Sequence, residues 1–512
     1  MFPPFLVAGL AAIAGPSFAQ SMPMNMPGMT MPMPAQKAPK KTQRKISKKG
    51  TAPKAGRAKD PGLEHEAHPV PPQGPIETPA PTPTEQAKTA PGRAPMQMPQ
   101  QAPTEGGEAS LQMPMGPMQM DGRASHPMAM SGAFGRYLEE RETSGTAWQP
   151  DSSRHAGLMA MRGDWTLMAH GLLNLVYDHQ SGPRGGNKAF ASGMLMGMAR
   201  RPLGQGTLQL KAMVSPDPFM GASGYPLLLA SGETANGRDR LVDRQHPHDF
   251  FMELSGSVSQ DIGRTSSIFL YAGLPGEPAF GPPAFMHRES ILDSPEAPIT
   301  HHWLDSTHIT FGVVTAGLVL DRLKLDASRF NAREPDQHRW NIEAGPLDST
   351  SIRLSWNPSR TLALQGSWAR LKDPEQLEPG VDQERWSASA LWAGEFGPAW
   401  HAAATIAWGR KSSEGHTDDA VAAEASLKHG PWTIFSRAEW TENRELLGLV
   451  DSPAFRVGKI SVGAIRDFAI ARHLSFGAGG LLALDFVPEA LHPLYGSGSP
   501  TGAMGFVRLK LD

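Results

Sequence analysis

RWSASALWA at 385–393, AWHAAATIAWG at 399–409 and PWTIFSRAEW at 431–440 decide how this chain folds. All three alternate with a period of two, the pattern of a β-strand whose successive side chains point to opposite faces. Trp386, Ala388, Ala390 and Trp392 share a face of the first. Trp400, Ala402, Ala404, Ile406 and Trp408 do so in the second, and Trp432, Ile434, Ser436, Ala438 and Trp440 in the third. These faces are uncharged and begin and end with Trp. Eight strand residues span about 26 Å, or about 20 Å along a membrane normal at the tilt of barrel strands, close to the apolar band between two aromatic girdles. The opposite faces carry Arg385, His401, Arg437 and Glu439, expected to line a watery lumen. A soluble β-sandwich alternates too, but has no use for Trp at both ends of a bare apolar face.

Similar segments recur from about Gly163 to the C-terminus. They start near residues 165, 188, 206, 248, 265, 308, 322, 350, 361, 384, 399, 420, 431, 455, 472 and 501. The expected fold is all-β: an antiparallel transmembrane β-barrel of about sixteen strands over residues 150–512, an even number that suits a bacterial outer membrane. The last strand turns Val507, Leu509 and Leu511 outward and ends on Asp512, where an aromatic residue is usual in outer-membrane barrels. The connections Pro216 to Gln245 and Gly273 to Thr307 are too long for turns, and are expected to fold into the lumen or cap its mouth. No apolar run reaches the length of a membrane helix; Ala388 to Gly409 comes nearest, interrupted by Glu395 and Pro398.

The N-terminal part reads differently. Phe5 to Ala14 is a short apolar core broken by Gly15-Pro16, and Ser17-Phe18-Ala19 fits a cleavage site, so residues 1–19 are expected to be a signal peptide, although Met1 to Pro4 carry no basic residue. Residues 20–145, dominated by Pro, Gln, Gly, Lys and Met, are expected to form a disordered tail. Lys37 to Lys59 holds ten basic residues and no acidic one, the pattern of a solvated linker. Over the full 512 residues the net charge is −2, which argues against a general nucleic-acid binder. With no cysteine, disulfides and thiolate metal sites are excluded.

Methionine carries the chemical signal. Of 26 in the chain, fourteen fall in the tail, among them Met22, Met24, Met26, Met29, Met31, Met33, Met113, Met115, Met118 and Met120. A segment without a core has no packing use for Met. Neutral, soft thioethers select Cu(I), and by the same logic Ag(I), and bind without losing a proton. The alternatives are compositional drift and an oxidant sink. Inside the barrel region, Met168 and His170, then Met194, Met196 and Met198, then Met213 are in phase with polar positions, and are expected to face the lumen. A register slip of one residue would instead turn them to lipid.

Histidines gather in the long connections. RQHPHDFF holds His246, His248 and Asp249, PPAFMHRES holds Met286, His287 and Glu289, and THHWLDSTH holds His301, His302, Asp305 and His308; the metal ligands expected among them are His246, His248, Met286, His287, His301 and His302. Imidazole is a ligand for copper and zinc, but no spacing here matches a standard zinc motif, and pinning of an inward loop by hydrogen bonds is the competing role. Ser306 beside His308 raises a membrane-embedded esterase or lipase as an alternative.

The layout of signal peptide, exposed Met-Pro-Met tracts and outer-membrane barrel resembles the copper-resistance protein B family. The segments RLVDRQHPHDFF, GPPAFMHRES and HHWLDSTHITFG look more like an uncharacterised group of bacterial outer-membrane proteins. The resemblance implies copper handling and transfers no individual residue. The expected function is therefore non-enzymatic: an outer-membrane protein that binds or passes Cu(I) or Ag(I). Its expected partners are membrane lipid, soft metal ions and periplasmic copper-handling proteins, with the tail in the periplasm or at the cell surface. A general outer-membrane diffusion channel is the first alternative.

Overall fold

A computed structural model of the chain describes residues 131–154, 157–397, 399–449 and 452–511. The expected signal peptide and the tail methionines Met22 to Met33 and Met113 to Met120 lie outside the described residues.

The strands are β1 (Leu158–Arg162), β2 (Trp165–Gln180), β3 (Gly186–Leu203), β4 (Gly206–Val214), β5 (Tyr225–Thr234), β6 (Arg240–Gln245), β7 (Phe251–Asp261), β8 (Ser266–Gly273), β9 (Val313–Leu320) and β10 (Leu323–Phe330). They continue with β11 (Ser349–Ser359), β12 (Leu362–Leu371), β13 (Gln383–Phe396), β14 (Trp400–Ser413), β15 (His416–His429), β16 (Trp432–Asn443), β17 (Phe455–Ala471), β18 (Leu474–Phe486) and β19 (Thr501–Leu511). Sixteen of them, β2 to β4 and β7 to β19, each pair antiparallel with their neighbours in chain order. The pairing of β19 with β2, Leu511 opposite Gly171 through Gly502 opposite Gln180, closes the sheet into a barrel with no free edge. β1 pairs with the first residues of β2, where β19 has ended, and β5 and β6 form a separate hairpin.

Seven connections of two to four residues lie at one end of the barrel, between β3 and β4 and then, two strands at a time, up to β17 and β18. The long connections, 215–250, 274–312, 331–348, 372–382, 444–454 and 487–500, lie at the other end. Short turns face the periplasm and long loops the exterior in bacterial outer-membrane barrels.

The outer surface is apolar. Leu175, Leu195, Ile406, Ile434 and Leu482 are each more than half exposed. Trp356, Trp392, Trp400 and Trp432 sit near the short-turn end, and Trp368, Trp386, Trp408 and Trp440 towards the other. An apolar belt this large would drive aggregation in water and is matched to a bilayer between two aromatic girdles. The protein is an outer-membrane barrel.

The inner surface differs from expectation. Arg385, His401, Arg437 and Glu439 do face inward, but they are buried rather than water-lined. The segment 274–312 runs through the lumen and meets all four. Arg385 donates to Ser306 Oγ at 2.7 Å, and Arg437 donates to the Glu296 carbonyl at 2.9 Å. His401 Nε2 lies 2.7 Å from Glu289, and Glu439 accepts from the backbone and hydroxyl of Thr300 at 3.0 and 2.7 Å. A charged wall is stable away from water only where it finds such partners. Both long connections therefore fold inward: in 215–250, Leu227, Leu228 and Leu229 of the β5–β6 hairpin are buried against Phe190, Tyr225 and Phe506.

The N-terminal boundary also moves. Residues 131–145, assigned from composition to the tail, are folded within the barrel: Phe134 packs on Phe269 at 4.5 Å, beside buried Trp148. Thr146 donates to Asp326 at 2.6 Å and accepts from Arg353 at 2.8 Å. The reason is local: Phe134, Tyr137 and Leu138 form a small apolar set that the Pro/Met-rich average of the longer stretch conceals.

Candidate functional site

The register of the first barrel strands decides where the methionines point. Leu167, Leu173, Leu175 and Leu195 are exposed on the outside, whereas Met194, Met196 and Met213 are 5%, 6% and 4% exposed, inside. Met168 stands opposite Met198. His170 of β2, Met196 of β3, Met213 of β4 and Glu253 of β7 lie directly opposite one another in sequence, a row across four neighbouring strands. Adjacent strands are about 4.8 Å apart, so consecutive members of the row are side-chain neighbours. Met252, Ile309 and Phe311 pack against the inner end of this cluster.

A cavity of about 110 Å³ opens beside the row, lined by Met168, His170, Met194, Met196, Met198 and His287 together with charged side chains that include Arg200, Lys211, Lys510 and Glu142. A second cavity of about 60 Å³ shares Leu172, Met194 and Leu292 with it, and reaches His246, His248 and Met286. The lumen methionines and the loop histidines expected from sequence thus form two adjoining sets rather than one cluster.

The histidines converge from two connections. His246 and His248 follow β6; His301 and His302 lie on the single-turn helix α1 (His301–Leu304), with His308 just after it. All five are buried. Ring centres are 5.5 Å apart for His301 and His302, 5.7 Å for His246 and His302, and 5.2 Å both for His248 and His308 and for His301 and His308. Four of the rings are anchored through Nδ1: His248 on Asp217 at 2.8 Å, His301 on Asp305 at 2.7 Å, His302 on Glu334 at 3.2 Å and His308 on the Asp305 carbonyl at 2.7 Å. His246 instead faces Glu233 through Nε2 at 3.1 Å. Gly232 has φ +117°, and a Cβ there would lie 2.4 Å from His302 Nε2, so only glycine leaves room for that ring.

Electrostatics follow from this enclosure. Burial, reinforced by Arg339 for His246 and by the neighbouring imidazoles for His308, holds both well below the ordinary histidine value. Burial also lowers His301, against the pull of Asp305. His302 behaves oppositely: burial opposes its charge, but Glu334 outweighs it and raises the value. His308, placed in the cluster by sequence but not among the expected ligands, is the member that touches both His248 and His301. Its neighbour Ser306 is held by Arg385, and His308 Nδ1 is held by the Asp305 carbonyl, so the pair is not arranged as a nucleophile and its base.

No family model matches the sequence, and no curated protein matches it. Among solved structures the chain is similar to an anion-selective porin from Comamonas acidovorans, at 10% identity and a TM-score of 0.39, over 68% of this chain and 100% of that one. It is similar to OmpF of Salmonella typhi in complex with daunomycin, at 11% identity and a TM-score of 0.44, over 69% and 100%. It is also similar to OmpT of Vibrio cholerae, at 8% identity and a TM-score of 0.39, over 69% and 100%. The barrel assignment itself rests on the chain's own closed strand pairing.

Proposed function

We propose that the protein is a porin-type channel whose diffusion route is narrowed by the chain segments folded into its lumen. The observation that carries this reading is the closed sixteen-strand wall with an apolar outside and a charged inside, a size that encloses a water path when nothing fills it. The occupied lumen supports restricted rather than free passage. Reconstitution in planar bilayers tests it: small unitary conductance is expected from the intact chain, and a larger one once the bonds holding 274–312 to the wall are removed. A wide, permanently open pore in the intact chain would count against the restriction, and silence in both against the channel.

A second reading, handling of Cu(I) or Ag(I), is favoured by the row His170, Met196 and Met213 beside the Met-lined cavity. Neutral thioethers and imidazole hold a soft ion without the trapping that thiolate causes. Arg200, near the short-turn end of β3, donates to the Ser131 carbonyl at 2.8 Å, so the described chain starts at the periplasmic mouth. On this reading the Met-rich tail, in the periplasm or at the cell surface, captures the ion that the barrel accepts or releases. A peptide covering Ser21 to Gln36 is expected to bind Cu(I) and ignore Zn(II), and to lose Cu(I) when its methionines become leucine.

A further inference from the structure

The five lumen histidines are not explained by a channel wall. A ring that only pins a loop uses both nitrogens, or turns the spare one to water. Here Nε2 of His248, of His302 and of His308 are buried without a hydrogen-bond partner. Leaving such an atom unsatisfied is destabilising, so three in adjacent rings call for a reason. Their other nitrogens are committed. Asp217 takes Nδ1 of His248 and the Asp305 carbonyl takes Nδ1 of His308. That places the proton on Nδ1 and leaves the Nε2 lone pair free. His301, with Nδ1 on Asp305, has the same anchor. Outer carboxylates and carbonyls that fix ring and tautomer in this way are the supporting shell of histidine metal sites.

The spacing agrees. Two imidazoles on one tetrahedral ion, with bonds of about 2.1 Å, hold their ring centres about 5 Å apart. His308 is 5.2 Å from His248 and 5.2 Å from His301. Phe285 lies against all three rings, at 6.0, 5.8 and 6.4 Å, and closes the other side with an apolar face.

We propose that Nε2 of His248, His301 and His308 form an imidazole site for a borderline transition-metal cation, Zn(II) or Cu(II), chemically distinct from the thioether cavity beside it. Among the described residues, no three such groups already stand in ligating geometry. Binding draws the three rings together, with Asp217 and Asp305 following their Nδ1 atoms. With Nδ1 of each ring held by its anchor, the Nε2 lone pairs are the ones turned to the ion. The site goes beyond the channel reading, and its loss would leave conductance unaffected.

The test uses the full chain, purified in detergent, shown to be folded by a gel shift between unheated and boiled samples, and stripped with chelator. Co(II) is the probe, with Zn(II) as competitor. One equivalent of Co(II) is expected to give visible d–d bands of an imidazole-rich, four-coordinate site, displaced by Zn(II). His248→Gln and His308→Gln are each expected to weaken that binding at least tenfold, while Met194/Met196/Met198→Leu leaves it unchanged. Histidines elsewhere in the chain are separated by the same comparison, because their binding survives both glutamine variants. Should those variants fail to fold, nitrogen hyperfine structure from Cu(II) bound to the unaltered chain decides, with signals from several imidazoles expected. Folded protein that takes up no Co(II), bands unchanged in both variants, or a Cu(II) signal without imidazole would overturn the proposal.

Discussion

Arg288 reaches from the lumen segment to the barrel wall and grips Glu424 with two hydrogen bonds, Nε to Oε2 at 2.9 Å and Nη2 to Oε1 at 2.7 Å, both side chains shut off from solvent. The same guanidinium donates to Asp305 at 2.6 Å. Arg288 is the clamp that holds 274–312 against β15, and Asp305 in turn orients His301. One residue therefore ties the restriction of the lumen to the histidine cluster.

Removing that clamp leaves Asp305 buried without its cation and Glu424 with only Arg437, at 3.6 Å; breaking comparable buried pairs costs about 3–5 kcal/mol. Arg288→Met is expected to lower the thermal midpoint and to raise unitary conductance as the segment loosens. The double variant Arg288→Met/Glu424→Leu should recover part of the stability, because one of the two carboxylates is gone. Equal conductance in the clamp variant and the parent would show that 274–312 does not restrict the pore.

The lipid face and the lumen face should respond differently to substitution. Ile406, 54% exposed in the middle of β14, is expected to lose about 2–4 kcal/mol of folding free energy as Arg near the bilayer midplane. Met196→Leu, buried on the inner face, keeps volume and apolarity and should cost less than about 1.5 kcal/mol. Reversible denaturant titration in lipid vesicles measures both. A tolerated Ile406→Arg would mean that this face does not meet hydrocarbon.

Copper retention separates the two functional readings. Met194/Met196/Met198→Leu is expected to preserve conductance and the folded gel band while reducing Cu(I) held by the barrel in competition with a chelator of known affinity. If Cu(I) occupancy is unchanged, the lumen methionines are filler and the channel reading stands alone.

Acid should weaken the lumen packing. His246, His301 and His308 are held below the ordinary histidine value, so the unfolded chain binds protons that the folded one refuses. Their contribution is complete above about pH 6.5 and is lost as pH falls below it. His302, raised by Glu334, works the other way: its contribution is present below that pH and fades as pH rises through its shifted value. Among the groups facing the cluster, Asp217, Asp305, Glu233, Glu334 and Arg339, burial pushes Glu233 up to about 7, so it works in the same direction as His302 and the balance is three against two. Thermal midpoints at pH 7.5 and pH 5 are expected to differ, with the acid sample lower. Coincident midpoints would rule out a net effect of these rings.

What could be read from sequence was whatever a single strand decides for itself. Period-two alternation places each strand start within about five residues of its position in the barrel, because inside and outside are set by the pleat and not by distant partners. The same rule put Leu195 outside and Met194 and Met196 inside, since a slip of one residue would have exposed the polar neighbours Ser192 and Arg200 to lipid. Only the tertiary structure decided what fills the lumen. Arg385 and Arg437 look alike whether they line water or an inserted chain, and their partners Ser306 and Glu296 lie 79 and 141 residues away. The meeting of His248 with His308 is equally invisible in RQHPHDFF and THHWLDSTH, because it depends on two separate connections being drawn into one closed wall. Alternation is a local property of the backbone. Satisfaction of a buried charge or an imidazole depends on whichever groups the closed barrel brings within hydrogen-bonding reach.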